Sequence, residues 1–249
     1  PGVHVFTSSQ KVQKLRRNIL ELVLSDHPPE CLTCEINGNC ELQTVAAKVG
    51  VRQIRYTGGK NHLDRKKDLS HPYMTSDLAK CINCSRCVRA CDEIQGQFVL
   101  SMHGRGFNAR IIKGMDTTFE NSPCVSCGAC SQACPTSAIS DVFQSKAIMA
   151  TKKTRTVCTY CGVGCNLEVA TKGSEILSIQ APVDAEVNMA HTCLKGRYAF
   201  KFYNHRDRLR TPLIRYNGHF QEATWDEAYD YRSEEHTSEL QSPYVISYA

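Results

Sequence analysis

Residues 81–91 read Cys81-Ile-Asn-Cys84-Ser-Arg-Cys87-Val-Arg-Ala-Cys91. Residues 124–135 read Cys124-Val-Ser-Cys127-Gly-Ala-Cys130-Ser-Gln-Ala-Cys134-Pro135. Both are C-x2-C-x2-C-x3-C runs, the spacing that holds cubane iron–sulfur clusters; in tandem, the fourth Cys of each run ligates the other cluster. The reason is geometric. Three closely spaced thiolates wrap three corners of a cube, and the fourth corner points away from that loop. Cys81, Cys84, Cys87 and Cys134 are therefore assigned to one 4Fe–4S cluster, and Cys124, Cys127, Cys130 and Cys91 to a second. Zinc is the competing occupant, but it prefers paired C-x2-C knuckles from separate loops. Asp92 stands where Pro follows the fourth Cys of the other run, a position that carries no ligand.

The chain has 15 Cys, all between Cys31 and Cys193. An odd, clumped set sits badly with a closed disulfide framework and well with metal. Cys158, Cys161 and Cys165, with Cys193 as a distant fourth, fit another cube. Gly162 and Gly164 lie where backbone must approach it closely, and structural zinc is a stronger rival at this group. Cys31, Cys34 and Cys40 lack a fourth ligand. His27 supplies one, in H-x3-C-x2-C-x5-C, and makes sixteen ligands with no cysteine unused. The alternatives are a non-protein ligand or none, leaving a 3Fe cluster. Pro28 and Pro29 stiffen the link from His27 and end any helix before it. His62, His71 and His219 read as solvated or capping side chains.

Composition is that of a folded globular chain: 249 residues, 41% hydrophobic and 22% charged. No stretch approaches 18 consecutive apolar residues, so no membrane span is expected. The chain opens on Pro1, so an upstream signal is not excluded; the expected compartment is the cytoplasm. The formal charge is +5. Counting cube cores and thiolates brings it to about −2, which undercuts a nucleic-acid partner. Lys80, Arg86 and Arg89 are well placed by sequence against anionic clusters.

Val12, Leu15, Ile19, Leu22 and Val23 predict an amphipathic helix over 10–25, capped by Ser8 or Ser9 and delivering His27. A second helix is expected over 41–50. Residues 57–72, with Lys60, Arg65, Lys66 and Lys67, read as a linker or exposed edge. Hairpins are expected over 97–113, around Gly104 to Gly106, and over 166–180, turning at Lys172-Gly173.

The order of motifs resembles the catalytic alpha subunit of molybdenum- or tungsten-dependent formate dehydrogenases. A one-His, three-Cys motif comes first, then a two-cluster ferredoxin unit, then Val157-Cys-Thr-Tyr-Cys-Gly-Val-Gly-Cys165. Cys193-Leu-Lys-Gly196 and Thr224-Trp-Asp-Glu-Ala228 match later landmarks of the molybdopterin oxidoreductase superfamily. The resemblance covers about residues 1–231 and implies an α+β string of small iron–sulfur domains. Residues 1–7 would be the remnant of a 2Fe–2S ferredoxin domain whose cluster is absent here. Residues 8–66 would hold the His-ligated cluster, 67–150 the ferredoxin-type pair, and 151–211 the 4Fe–4S domain that opens molybdopterin oxidoreductases. Residues 212–231 would begin a truncated molybdopterin domain. It further implies a molybdenum or tungsten bis-molybdopterin guanine dinucleotide in the longer protein. Lys195 would then lie between the last cluster and the pterin. Partner subunits would carry flavin and iron–sulfur centres. No catalytic residue is expected in this chain. The large iron–sulfur subunit of NADH:quinone oxidoreductase is the close alternative, although its ferredoxin-like region usually lacks two intact four-Cys runs. Iron-only hydrogenases share the first three clusters but not the Cys158 group, and a zinc-scaffold binding protein is the alternative of another class. Residues 232–249 resemble the in-frame translation of a sequencing adapter and are set aside from the fold.

Overall fold

The computed structural model describes residues 2–56, 63–143, 146 and 149–233. Lys60, His62 and residues 234–249 of the adapter-like tail lie outside them.

Helix α1 (Gln10–Ser25) starts where the serines predict, with the Ser9 hydroxyl accepting the Val12 N–H at 3.4 Å. Its buried face matches the predicted one only at Val23 and, half-buried, Val12. Leu15, Ile19 and Leu22 are exposed, and the core takes Leu20, Val23 and Leu24. Two apolar stripes run along this helix, and α2 (Glu41–Val49) covers only the Leu20 side, together with Ile36, Cys40 and Leu42. Glu21 is buried beside Leu20 because Arg55 pairs with it at 2.7 Å. Gly50 ends α2 in the left-handed conformation, at φ +74°.

The two cysteine runs lie in the chain between strands β1 (Met74–Ser76) and β4 (Ile139–Asp141), which pair antiparallel with Thr75 opposite Ser140. Each run feeds a short helix. The first is α3 (Arg86–Arg89), continued by a π turn (Ala90–Ile94); the second is α4 (Ala129–Ala133). The predicted hairpin forms from β2 (Leu100–His103) and β3 (Arg110–Lys113). Gly104 turns it at φ +74°, where a Cβ would come within 2.8 Å of the Asn108 carbonyl oxygen. The core of this region mixes apolar side chains with thiols: Met74, Val99, Leu100, Ile111, Phe119 and Ile139 pack with Cys87, Cys91 and Cys130.

The described part of the 57–72 segment is not a linker. Asp68 pairs with Ser76 through two backbone hydrogen bonds. Its carboxylate meets Lys113 at 2.7 Å, both side chains being nearly buried. It also accepts the Phe119 N–H at 2.9 Å and the Ser70 N–H and O–H. Burial opposes ionisation here, but these donors prevail and hold the carboxyl well below the usual range. The basic composition of the segment conceals an anchoring Asp.

Strands β5 (Lys152–Val157), β6 (Asn166–Lys172) and β7 (Glu175–Gln180) form an antiparallel sheet in sequence order. The β6–β7 hairpin is the expected one; β5 is an addition, because Lys152 to Arg155 is too polar to announce a strand. Helix α5 (Leu194–Tyr198) follows. Residues up to Lys201 form one compact unit, and Phe202 onward a second. The second unit contains the hairpin of β8 (Leu213–Tyr216) and β9 (His219–Glu222) and the helix α6 (Trp225–Ser233). Thr224 and Glu227 cap α6 reciprocally, each side chain accepting the other's backbone N–H, at 2.7 and 3.2 Å.

Candidate metal centres

The cysteine runs curl because four residues adopt the left-handed conformation at matching positions: Asn83 and Ser85 in the first, Ser126 and Gly128 in the second. Such turns point successive N–H groups inward, toward anionic sulfur. The Asn83 N–H reaches Cys81 Sγ, and the Ser126 N–H reaches Cys124 Sγ, each at 3.4 Å.

Cys81, Cys84, Cys87 and Cys134 line one cavity, closed by Leu78, Ile82, Ile111 and Ile139. Cys124, Cys127, Cys130 and Cys91 line another, with Met74, Val99, Leu100 and Phe119. In each, the fourth thiol comes from the other run. Burial pushes the Cys87 thiol up to about 12, and the nearby Cys134, Cys81 and Cys84 add to it. Cys130 is driven well above its ordinary value by burial, then by Cys127, Cys87, Cys124 and Cys91. Four crowded thiols in an apolar cavity cannot all ionise unless a polycationic core replaces their protons. The donor set and the cavity therefore fit a cluster.

His27, Cys31, Cys34 and Cys40 line a larger cavity, with Arg65, Lys67 and Lys80 on its wall. The Arg65 nitrogen Nη1 is buried without a hydrogen-bond partner among the described residues, as suits an anionic occupant. This group meets the end of the second run, whose Cys134 lines the first site. The Pro135 carbonyl, next to Cys134, accepts the Glu41 N–H at 3.2 Å and faces Cys40 Sγ at 3.7 Å.

Cys158 follows strand β5 and Cys165 precedes strand β6, held together by the Cys158 N–H donating to the Cys165 carbonyl at 2.8 Å. Cys161 lies in the loop between them, and Cys193 caps α5. Burial raises the Cys165 thiol, with contributions from Cys158, Cys161 and Cys193, so the four thiols are neighbours. Gly196 lets α5 lie against them: a Cβ there would stand 2.4 Å from Thr192 Oγ1 and 3.7 Å from Cys158 Sγ. Lys195 is exposed on α5. All fifteen thiols are free of disulfides. Among the described residues no three His, Cys, Asp or Glu side chains close on one ion position. The thiols of three of the four groups instead stand apart around a common cavity, which suits a polynuclear core better than a lone zinc.

Some charges differ from the sequence expectation. Arg86 pairs with Glu41 at 2.7 and 2.9 Å, and Arg89 with Glu93 at 3.0 and 3.2 Å, on the surface. Arg86 still lies within the field of Cys84 and Cys134, as expected, and two further cations stand at the sulfurs: Arg65, whose charge acts on Cys81, and Arg197, which acts on Cys127. His71 is neither solvated nor a simple cap. It is buried, its Nδ1 accepts the Tyr73 and Met74 N–H groups at 3.1 Å, and its Nε2 lies 3.0 Å from Ser126 Oγ and 3.9 Å from Cys124 Sγ. Two backbone donors at Nδ1 place the ring proton on Nε2, toward the cluster loop. Only the X-Pro step after His71 hints at a fixed position. His219 is exposed, as expected.

Comparison with known proteins agrees with this layout. Residues 16–55 match the NADH-ubiquinone oxidoreductase-G iron-sulfur binding region, 80–138 the 4Fe-4S dicluster domain, and 151–205 the molybdopterin oxidoreductase Fe4S4 domain. "Probable oxidoreductase YjgC" of Bacillus subtilis (strain 168) is 33% identical over 91% of this chain and 27% of its own. A G-type subunit of NADH-quinone oxidoreductase from Rhizobium meliloti (strain 1021) is 32% identical over 92% of this chain and 27% of its own. "Putative formate dehydrogenase SH0748" of Staphylococcus haemolyticus (strain JCSC1435) is 32% identical over 91% and 27%. The chain thus spans about a quarter of the length of these relatives. Among solved structures, an NAD+-reducing [NiFe]-hydrogenase in the H2-reduced state is similar, with 27% identity and a TM-score of 0.53 over 57% of this chain and 60% of that one. No helix among the described residues is long and apolar enough to cross a membrane. The chain is a succession of iron–sulfur domains: an NADH-ubiquinone oxidoreductase-G type region, a 4Fe-4S dicluster domain and a molybdopterin oxidoreductase Fe4S4 domain.

Proposed function

We propose that this chain is the electron-relay portion of a formate dehydrogenase alpha subunit, holding four 4Fe–4S clusters on His27 and the fifteen cysteines. The observation that carries the relay is the exchange of Cys91 and Cys134 between two adjoining apolar cavities. Bound clusters supply one-electron capacity at each site. The protein's part is to hold thiolates, exclude water with Ile111, Phe119 and Ile139, and aim N–H groups at sulfur. Contacts join neighbouring sites: Pro135 links the Cys40 and Cys134 sites, and the Cys87 and Cys130 thiols act on one another. In the longer protein, Lys195 would face a bis-molybdopterin guanine dinucleotide carrying molybdenum or tungsten, and flavin- and iron–sulfur-containing subunits would take the electrons. The molybdopterin oxidoreductase Fe4S4 match and the intact four-Cys pair favour this reading. The large subunit of an NADH:quinone oxidoreductase is the second reading, favoured by the match over residues 16–55 and by the Rhizobium relative.

The test is twofold. The anaerobically purified protein should contain about 16 iron and 16 acid-labile sulfide per chain; stoichiometric zinc without sulfide would sink the relay. Formate-dependent dye reduction by the intact protein decides between the two readings, formate turnover supporting the first and its absence in molybdopterin-loaded protein the second. His27→Cys should keep its cluster and lower its potential, since a thiolate replaces a neutral imidazole. An unchanged signal would remove His27 from the ligand set.

A further inference from the structure

Arg197 is one of the most deeply buried side chains in the molecule, at 1% exposure. Its Nε donates to the Cys127 carbonyl at 3.0 Å, and an Nη2 hydrogen to Gln132 Oε1 at 2.7 Å. Both acceptors are neutral. The guanidinium stays protonated in proteins, and a buried charge without a counter-charge is costly. Asp141 lies within its field, yet no hydrogen bond joins them among the described residues. On its other side the guanidinium is held at Cys127, through that residue's own carbonyl, beside the four thiols of the second site.

The position is built. Gln132, which receives the guanidinium, is itself held by donating to the Ala181 carbonyl at 2.6 Å. Gly128, the residue after Cys127, leaves room for it: a Cβ there would stand 2.4 Å from Arg197 Cδ and 2.5 Å from the Tyr198 hydroxyl. Tyr198 stacks on Tyr73, with ring centroids 4.7 Å apart. Arg197 also hangs from the helix that Cys193 opens, its N–H donating to the Cys193 carbonyl at 3.2 Å. One helical turn thus ties a ligand of the Cys158 group to the peptide of a ligand in the second run.

We propose that Arg197 is the internal counter-cation of the site formed by Cys124, Cys127, Cys130 and Cys91. It raises the reduction potential of the cluster held there and fixes that site against the Cys158 group. The inference rests on the 4Fe–4S reading above. A fixed positive charge favours the more negative, reduced state of a nearby centre, and the effect is large because apolar residues surround it.

The experiment is an EPR-monitored redox titration of the intact, anaerobically purified protein, with the signal assigned by its loss in Cys124→Ala. In Arg197→Gln, the reduced-to-oxidised ratio of this cluster at a fixed potential should fall at least tenfold, about 59 mV for one electron. Arg197→Lys should load and move it less than half as far, and the Cys81 cluster should move least. An unchanged ratio in a loaded Arg197→Gln protein overturns the inference, as does an equal shift with Lys, since geometry rather than charge would then be at work. Should the Gln variant fail to load, a full tenfold shift in the Lys variant overturns it alone. Absence of iron and sulfide from the wild-type protein would instead overturn the cluster reading beneath it.

Discussion

The two four-Cys runs share spacing, left-handed positions and N–H···S bonds of the same length, yet their surroundings differ in kind. Around Cys81 stand Asn83, whose side chain donates to the Ala109 carbonyl, and the cation Arg65, held by the same carbonyl. Around Cys124 stand the buried imidazole of His71 and, against Gly128, the Arg197–Tyr198 turn. Three thiols of each site come from local spacing, and the fourth thiol and the electrical setting from chain far away in sequence. A tandem repeat can therefore hold two like clusters in unlike environments.

The strongest way to break the comparison is to remove an exchanged ligand. Cys134→Ala should abolish or perturb the cluster of Cys81, Cys84 and Cys87 and spare that of Cys124, lowering iron by about four atoms per chain. Spectroscopic loss confined to the Cys124 cluster would mean that each run keeps its own fourth thiol.

Asp68 pins the segment that delivers Arg65 to one run and His71 to the other. Asp68→Asn leaves Lys113 buried beside a neutral partner and should cost roughly 3 kcal/mol in denaturant unfolding. The sign with pH follows from a folded carboxyl titrating below its unfolded value of about 3.9. The stabilisation is complete above about pH 5 and is lost as pH falls through the lower, folded value. The gap between wild type and variant should therefore close on the acid side; a gap that widens there refutes the ion pair as its source.

Equivalent positions 85 and 128 sharpen the contrast. Gly128→Ala drives a Cβ into Arg197 and Tyr198 and should cost about 2 kcal/mol or more. Ser85→Gly relieves a left-handed serine and should stay within about 1 kcal/mol of wild type, on the stabilising side. Equal losses in thermal melts would show the two turns to be interchangeable. The smallest effect is expected at Arg86, half-exposed with its Glu41 partner. Arg86→Gln should change stability by about 0.5 kcal/mol; a large loss would mean that its pair with Glu41 is not an ordinary surface pair.

The cysteine runs are legible because a cube dictates close spacing, and helix α1, helix α2 and both hairpins because their caps and glycines are local signals. The buried face of α1 is not legible, because periodicity gives a stripe but not which neighbour covers it. Arg65, Asp68, His71 and Arg197 escape for one physical reason. Their partners Ala109, Lys113, Ser126 and Cys127 lie between 44 and 70 residues away, and each looks like an ordinary polar surface residue in the string.

The crossing of Cys91 and Cys134 also bears on how such a protein is made. A ribosome releases the three leading thiols of the first run long before residue 134, so that site can receive only a partial set of ligands until the second run has emerged. On the proposed ligand exchange, filling both sites would staple the intervening β2–β3 hairpin into a closed ring, at both ends at once. Cofactor insertion would then be a late, joint event that locks the chain's topology, and a chain starved of iron should be cut by proteases more readily within that hairpin.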